Sequence, residues 1–587
     1  MQQVSYSYPI TLIQKLFVEK VLECLYIGTL DSYRLRLHNP KTAIEELVQV
    51  TLQVKQNILQ RQEYVAEICK EVLALLKNES DGLIFTSIDR DYYVKLISQG
   101  KKKENFNIII QASRLVIKDN ANYQQHLIDE IERQIDNYIE GSEIEAPKKL
   151  LSLIEYSLIE LVNKGFTKQY LYNFLRTILI HAGDADLSFS ERFQGYKNLF
   201  NRTKSNYTVI FKILSNEFQF RELHQIDSNY IQVNRRFRSI HSPIVSERVT
   251  KFLEENKQEK LVAYKIEAPD HYKAIELCRA KLSKDLDLYH LGFSGIKNSI
   301  DKQAAVISEL APERASTAPS NYQLEGYTRG NQEIFTSLLA KVNLLQHNNV
   351  PQETIDKLLS GFRYLRMGSE SGELETKMLN FWIGLEFIFT LFLSDQKTID
   401  RIRTFFPLCH ALIYVRRNLH DFHKALARLG VSSHIPNYSD DLEYLCNFNV
   451  YDIVMDKSPS ILLKIRAKQF QAWFANPGNI DRRLKEHIDT LRWNISRLYR
   501  LRNEIVHNAA VKSNISPNVS HLKYYLTFAL NSMLEFLSDF PTDVDSDGKI
   551  TIEDYLISQQ IILGSLKGKR MSDYVSIKNC VVLILLT

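Results

Sequence analysis

From residue 10 to about 78, apolar side chains recur at mixed three and four spacing over a polar background, as in "AIEELVQVTLQVKQNILQRQEYVAEICKEVLALLKNES". That rhythm follows the 3.6-residue helical turn and predicts helix, here long enough for one extended bundle helix. The next stretches, "GLIFTSI" and "FNIIIQA", are too brief and too apolar for periodicity to choose between strand and helix. "APKKLLSLIEYSLIELVNKGFTKQYLYNFLRTIL" is clearer. Pro147 stands near a helix entry, apolar residues return at 150, 151, 154, 158, 161 and 162, and Gly165 interrupts the run before it resumes. Proline suits a first helical turn and glycine a left-handed exit, so a helical hairpin is expected.

The pattern then changes. "YTVIFKIL" at 207–214 and "KLVAYKIEA" at 260–268 are rich in β-branched and aromatic residues, and the second leads through Pro269-Asp270 into the helical "HYKAIELCRAKLSKDLDLYHLGF". These predict a small α/β module. "SELAPERASTAPSNYQLEGYTRGNQ" lacks periodicity and reads as an exposed connection. From about 331 helical patterns return and continue through "NIDRRLKEHIDTLRWNISRLYRLRNEIVHNA" and "VSHLKYYLTFALNSMLEFLSDF". The expected fold is mainly α: a mostly helical domain over 1–200, an α/β module over 201–310, a linker over 311–330, a helical domain over 331–540, and a tail over 541–587 that ends in the strand-like "CVVLILLT".

Composition narrows the class without naming a function. At 587 residues the chain exceeds one compact domain, and 44% apolar against 24% charged residues is ordinary for a folded protein. The net charge of +5, from 74 basic and 69 acidic side chains, gives no nucleic-acid or membrane footprint by itself. Six scattered cysteines form no C-x-x-C pair or disulfide framework and read as reduced thiols. The opening "MQQVSYSYPITLIQKLF" lacks the basic start and apolar run of a signal peptide, and the terminal apolar stretch is too short to cross a bilayer. A cytoplasmic protein with no membrane partner is expected.

The most suggestive chemistry lies in "LYRLRNEIVHNAAV", where Arg502-Asn503 precedes His507. Spacing alone says little, because an Arg with a His a few residues on recurs at Arg236/His241, Arg403/His410, Arg417/His423 and Arg482/His487. On a helix, however, Asn503 and His507 share a face, and Arg502 is one step round with a side chain long enough to reach back. Imidazole moves protons near neutral pH, and a guanidinium stabilises charge on phosphate oxygens. These groups suit RNA cleavage without a metal, with Asn503 fixing the imidazole or bonding a phosphate oxygen. A plainer reading pairs Arg502 with a Glu on a neighbouring turn, bonds Asn503 to backbone and leaves His507 capping a helix end.

"KMLNFWIGLEFIFTLF", followed some 115 residues later by "LYRLRNEIVHNA", resembles the HEPN superfamily and within it the ApeA-like anti-phage branch. Members of that branch pair a hydrophobic-Trp-x-x-Leu-Glu helix with an Arg-Asn-x-x-x-His helix. The resemblance covers roughly 371–540. It implies a four- to five-helix bundle that forms a homodimer, and a metal-independent endoribonuclease using the ribose 2′-hydroxyl as nucleophile. It makes Arg502 and His507 catalytic, Asn503 an assisting residue and Glu386 a possible acidic partner. The N-terminal region would sense a phage-derived or protein trigger. Some HEPN domains serve instead as dimerisation or nucleotide- or RNA-binding scaffolds, a second reading from the same residues.

Three further features compete. "VRRNLHDFH" places Arg417, Asn418, His420 and His423 in a similar loose pattern. "DVDSDGKITIED" puts Asp543, Asp545, Asp547 and Asp554 at positions 1, 3, 5 and 12 of an EF-hand-like loop, with Gly548 at position 6, which suits a structural calcium ion. The same residues would also build an Asp/Gly turn before an N-capped helix. The basic runs "GKKKENFN", "VNRRFRSIHS" and "GSLKGKRMS" are weak signals that fit RNA-contacting loops or solvated faces.

Overall fold

The computed structural model describes residues 5–28, 38–59, 61–79, 82–118, 120–140, 143, 147–181, 187–214, 230–232, 247–255, 260–292, 299–326, 332–391, 396–508 and 515–577. Among the described residues, nine α-helices form the N-terminal layer: α1 (Leu12–Leu25), α2 (Pro40–Lys55), α3 (Glu63–Asn78), α4 (Arg90–Ser98), α5 (Phe106–Ile117), α6 (Asn120–Asp136), α7 (Pro147–Asn163), α8 (Lys168–Arg176) and α9 (Phe189–Asn201). Their starts are written locally. Thr11 and Gln14 close a capping box on α1, Asn39 caps α2 ahead of Pro40, and Ser188 with Glu191 does the same for α9.

The two expected helices are present as α7 and α8, with Gly165 at φ 98° between them, but both pack on α1 rather than on each other as a hairpin. The single long bundle helix is not. It divides into α2 and α3 at a turn where Asn57 takes φ 59° and Ile58 is left exposed. Asparagine tolerates the left-handed region, and the reversal lets Val50 and Val54 share one core with Tyr64, Val65 and Ile68. "FNIIIQA" belongs to α5, whereas "GLIFTSI" is irregular after Gly82 at φ 64°.

The α/β module is a five-stranded antiparallel sheet in the order β2-β3-β1-β4-β5, built from β1 (Ser205–Leu214), β2 (Tyr230–Gln232), β3 (Lys260–Ala268), β4 (Ser299–Ser308) and β5 (Ser316–Pro319). Alternation sets its two faces. Val209, Phe211, Val262 and Tyr264 meet α11 (His271–Gly292) through Ala274, Ile275 and Cys278, while Ile210, Leu261 and Ala305 meet α10 (Glu247–Glu255) through Val249 and Leu253. The stretch read as an exposed connection supplies β5. Ala304 pairs with Ala318, so the sheet extends past 310.

The C-terminal part comprises α12 (Gln332–His347), α13 (Gln352–Glu370), α14 (Leu374–Phe389), α15 (Thr398–Arg428), α16 (Phe448–Lys457), α17 (Ile461–Ala475), α18 (Pro477–Asn508), α19 (Ser516–Asp539), α20 (Ile552–Ser565) and α21 (Met571–Val575). One core gathers Met378, Phe381, Trp382 and Leu385 of α14 with Leu491, Ile495 and Leu498 of α18 and Tyr525, Ala529 and Met533 of α19. Close approach depends on missing side chains: a Cβ at Gly384 would lie 2.8 Å from Leu526 Cδ2, and one at Gly368 would lie 2.4 Å from the Phe381 ring. A second core joins the later part of α15 to α16, α17 and α21 through Phe422, Tyr451, Phe470 and Tyr574. The strand expected at 580–587 and the basic run at 233–242 lie outside the described residues.

Candidate functional site

Along helix α18, Leu491, Ile495, Leu498 and Leu501 turn into the C-terminal core and Ser496, Arg497, Arg500 and Glu504 turn toward α2 and α3; Arg502, Asn503 and His507 lie in its last two turns, with Arg502 in line with Ile495 and Leu498 and with Asn503 and His507 in line with Ser496 and Arg500. Trp382 is fully buried, and its ring lies 5.7 Å from Tyr499 on α18. Four residues further along α14 comes Glu386, and three residues further along α18 comes Arg502, whose Nη2 lies 3.8 Å from Glu386 Oε2. The two helices thus advance in the same sense here, and the buried aromatic contact sets the register that brings carboxylate to guanidinium.

Arg502 Nη1 also donates to Asn503 Oδ1 at 3.0 Å. Asn503 therefore orients the guanidinium rather than the imidazole, and the acid that pairs with Arg502 comes from another helix rather than a neighbouring turn. His507 is exposed in the last turn of α18 and makes no hydrogen bond among the described residues. The arrangement provides a cation steered by two acceptors and, beyond it, an accessible imidazole. Among the described residues, one chain offers a single such imidazole at the site. A cleavage with both an acid and a base requires a second proton carrier.

The rival motif is committed to structure. Arg417 donates to the Tyr524 hydroxyl, Asn418 Nδ2 donates to the Tyr414 carbonyl at 2.7 Å, and His423 is held by Tyr444 at 3.0 Å, Asp440 at 3.1 Å and a stacked Tyr438 ring. Burial lowers the pKa of His420 to about 4, which keeps it neutral. The other loose pairs divide in the same way. Arg403 is paired with Glu67, His410 is buried between His487 and Tyr524, and Arg482 Nη2 donates to Asn479 Oδ1; 236 and 241 lie outside the described residues.

In the acidic loop, one oxygen each of Asp543, Asp545 and Asp547 falls within 4.8 Å of the others. Asp543 Oδ2 accepts from the Gly548 amide at 2.8 Å, with Ser546 at φ 60° and Gly548 at φ 81° shaping the turn. Asp554 does not join the cluster. Its carboxylate is buried and accepts from the Val544 amide at 2.9 Å and from the Thr551 amide and hydroxyl at 2.8 and 2.7 Å, closing the capping box of α20. The three aspartates, Asp543 half-buried and Asp545 and Asp547 exposed, fit a hard cation with oxygen ligands. The fourth expected ligand is occupied as a helix cap.

Sequence reasoning missed the side of α18 that faces the N-terminal layer. Arg497 bridges Glu46 of α2 and Glu71 of α3, with Nη2 at 2.8 and 2.7 Å, and Arg500 also pairs with Glu46. Ser496 donates to Glu67 at 3.0 Å, and Gln53 Nε2 donates to Glu504 at 3.2 Å. Burial would raise the Glu46 pKa, but Arg497 and Arg500 hold it well below the carboxylate range. The available signal was the polar stripe of 496, 497, 500 and 504 on a helix whose apolar face was already assigned.

Among the described residues no helix is long and apolar enough to cross a membrane. Comparison with protein-family models, with curated proteins and with solved structures finds no match to this chain.

Proposed function

We propose that the protein is a cytoplasmic, metal-independent endoribonuclease of the HEPN type, acting as an anti-phage defence or toxin effector under control of its N-terminal region. The observation that carries this reading is the set of Arg502, held by Glu386 and Asn503, with the exposed His507 one turn beyond it. In this reaction the ribose 2′-oxygen attacks phosphorus, the 5′-oxygen leaves, and a 2′,3′-cyclic phosphate remains. His507 takes the 2′-hydroxyl proton or returns one to the leaving oxygen, and Arg502 stabilises the charge that builds on the phosphoryl oxygens.

The second proton carrier comes from His507 of another copy. Exposed apolar side chains close to the trio support such pairing: Phe387 beside Glu386, Leu391 after it and Val506 beside His507. The same collar supports the alternative, an inactive dimerisation or RNA-binding scaffold. Incubating the purified protein with RNA and analysing the product ends separates the two. Cyclic phosphate ends that persist in EDTA, and disappear with Arg502→Ala and with His507→Ala, uphold the enzyme; RNA left intact with every trigger tried refutes it.

A further inference from the structure

The core's hold on α18 thins as the helix reaches the candidate site, where Ile505 still packs against it but is only half-buried. Leu491, Ile495, Leu498 and Leu501 are 7% exposed or less, whereas none of residues 502–507 is buried. A helix end with so little tertiary packing frays, because its final carbonyls have no partners within the helix. Support on the other side continues further. Arg497 pairs with Glu46 and Glu71 and Arg500 pairs with Glu46, the four side chains being 6–14% exposed; the Arg500 guanidinium stands 5.8 Å over the Tyr64 ring, and Gln53 reaches Glu504, three residues past Leu501.

We propose that the N-terminal layer is a working part of the site: Glu46 and Glu71 are positioning residues that, through Arg497 and Arg500, splint the last two turns of α18 and hold Arg502 and His507 in place. The catalytic part of this statement rests on the ribonuclease reading above. Paired, desolvated charges suit such a role. They add little net stability, yet removing one partner strands the other in a costly environment, so they fix geometry more than they lower energy.

A second joint keeps the layers together when the seam is loosened. Leu462 of α17 belongs to the N-terminal core, Glu19 accepts from the Ser460 hydroxyl at 2.8 Å and the Leu462 amide at 2.9 Å, and Glu23 pairs with Arg466. A variant at the seam therefore tests the splint rather than separation of the layers.

The experiment compares the full-length protein with Glu46→Gln/Glu71→Gln by amide hydrogen exchange over residues 497–508 and by steady-state RNA cleavage. Exchange in that segment is expected to rise at least tenfold while 484–495 stays protected, with kcat reduced at least tenfold and KM nearly constant. Gln53→Ala, which removes one hydrogen bond and leaves the ion pairs intact, moves both readouts the same way by a smaller factor and serves if the double variant does not fold. Glu130→Gln removes a carboxylate from the same layer, where it pairs with Arg133 and Lys149 away from α18, and leaves both readouts at the wild-type level. Unchanged exchange over 497–508 overturns the proposal, as does faster exchange with unaltered kcat. If the wild-type protein cleaves no RNA, the ribonuclease reading falls separately, and the exchange result alone upholds or overturns the splint.

Discussion

Removing the imidazole of His507 should cost the fold almost nothing, because the side chain is exposed and makes no hydrogen bond among the described residues. A surface change of this kind stays within about 0.5 kcal/mol. Arg502→Ala loses an ion pair of 3.8 Å between side chains 26% and 29% exposed, a contact worth about 1 kcal/mol or less. At about 2–4 °C per kcal/mol for a cooperative unit of 150–250 residues, the double variant should melt within about 6 °C of wild type. Losing a positioned acid or base, by contrast, slows turnover about 10²- to 10⁴-fold. Trp382→Ala supplies the opposite case: emptying a fully buried indole site costs about 3–5 kcal/mol and lowers the melting temperature by about 6–20 °C. The assay is differential scanning calorimetry beside cleavage of a quenched fluorescent RNA. Cleavage retained in His507→Ala, or lost only in proportion to melting temperature across the four variants, would refute the catalytic assignment.

Calcium in excess of its dissociation constant should stabilise the fold through Asp543, Asp545 and Asp547, by about 2.7 kcal/mol at a hundredfold excess, and raise the melting temperature, with EDTA reversing the gain but sparing cleavage. Asp545→Asn should abolish the shift, and a shift that survives it places the ion elsewhere. Burial raises the Asp270 carboxyl to about 6, although Thr167 and Lys273 donate hydrogen bonds to it. A raised acid stabilises the fold fully below its unfolded pKa of about 3.9, and the contribution is lost as pH rises through 6. The wild type should therefore gain about 1.4 kcal/mol relative to Asp270→Asn between pH 8 and pH 5, and a flat difference in chemical denaturation would contradict this. Gly384→Ala drives a Cβ to 2.8 Å from Leu526 and should cost about 1–3 kcal/mol, whereas Gly564→Ala, with nothing within 4 Å, should gain about 0.5–1 kcal/mol in the same measurement.

Local patterns in the sequence determined most of the helices and strands β1 and β3, but not the equally long β4. The α7–Gly165–α8 corner, the alternation of β1 and β3, and the apolar stripe of α18 all follow from residue spacing and from the backbone preferences of proline and glycine. Periodicity also showed that Asn503 and His507 share a face. Other features depend on distant parts of the chain. The break at Asn57 carries no Pro or Gly signal and exists because two half-helices gain more by sharing a core than by continuing straight. Strand β5 is legible only beside β4. Every His in a loose Arg/His pattern looked alike in sequence; packing distinguished them, giving His410 and His423 buried partners and leaving His507 open. Glu386 reaches Arg502, and Glu46 reaches Arg497, only because separate helices have docked. A helix writes its own face in a few turns of sequence, whereas the partner meeting that face is set by long-range packing, whose register no local pattern encodes.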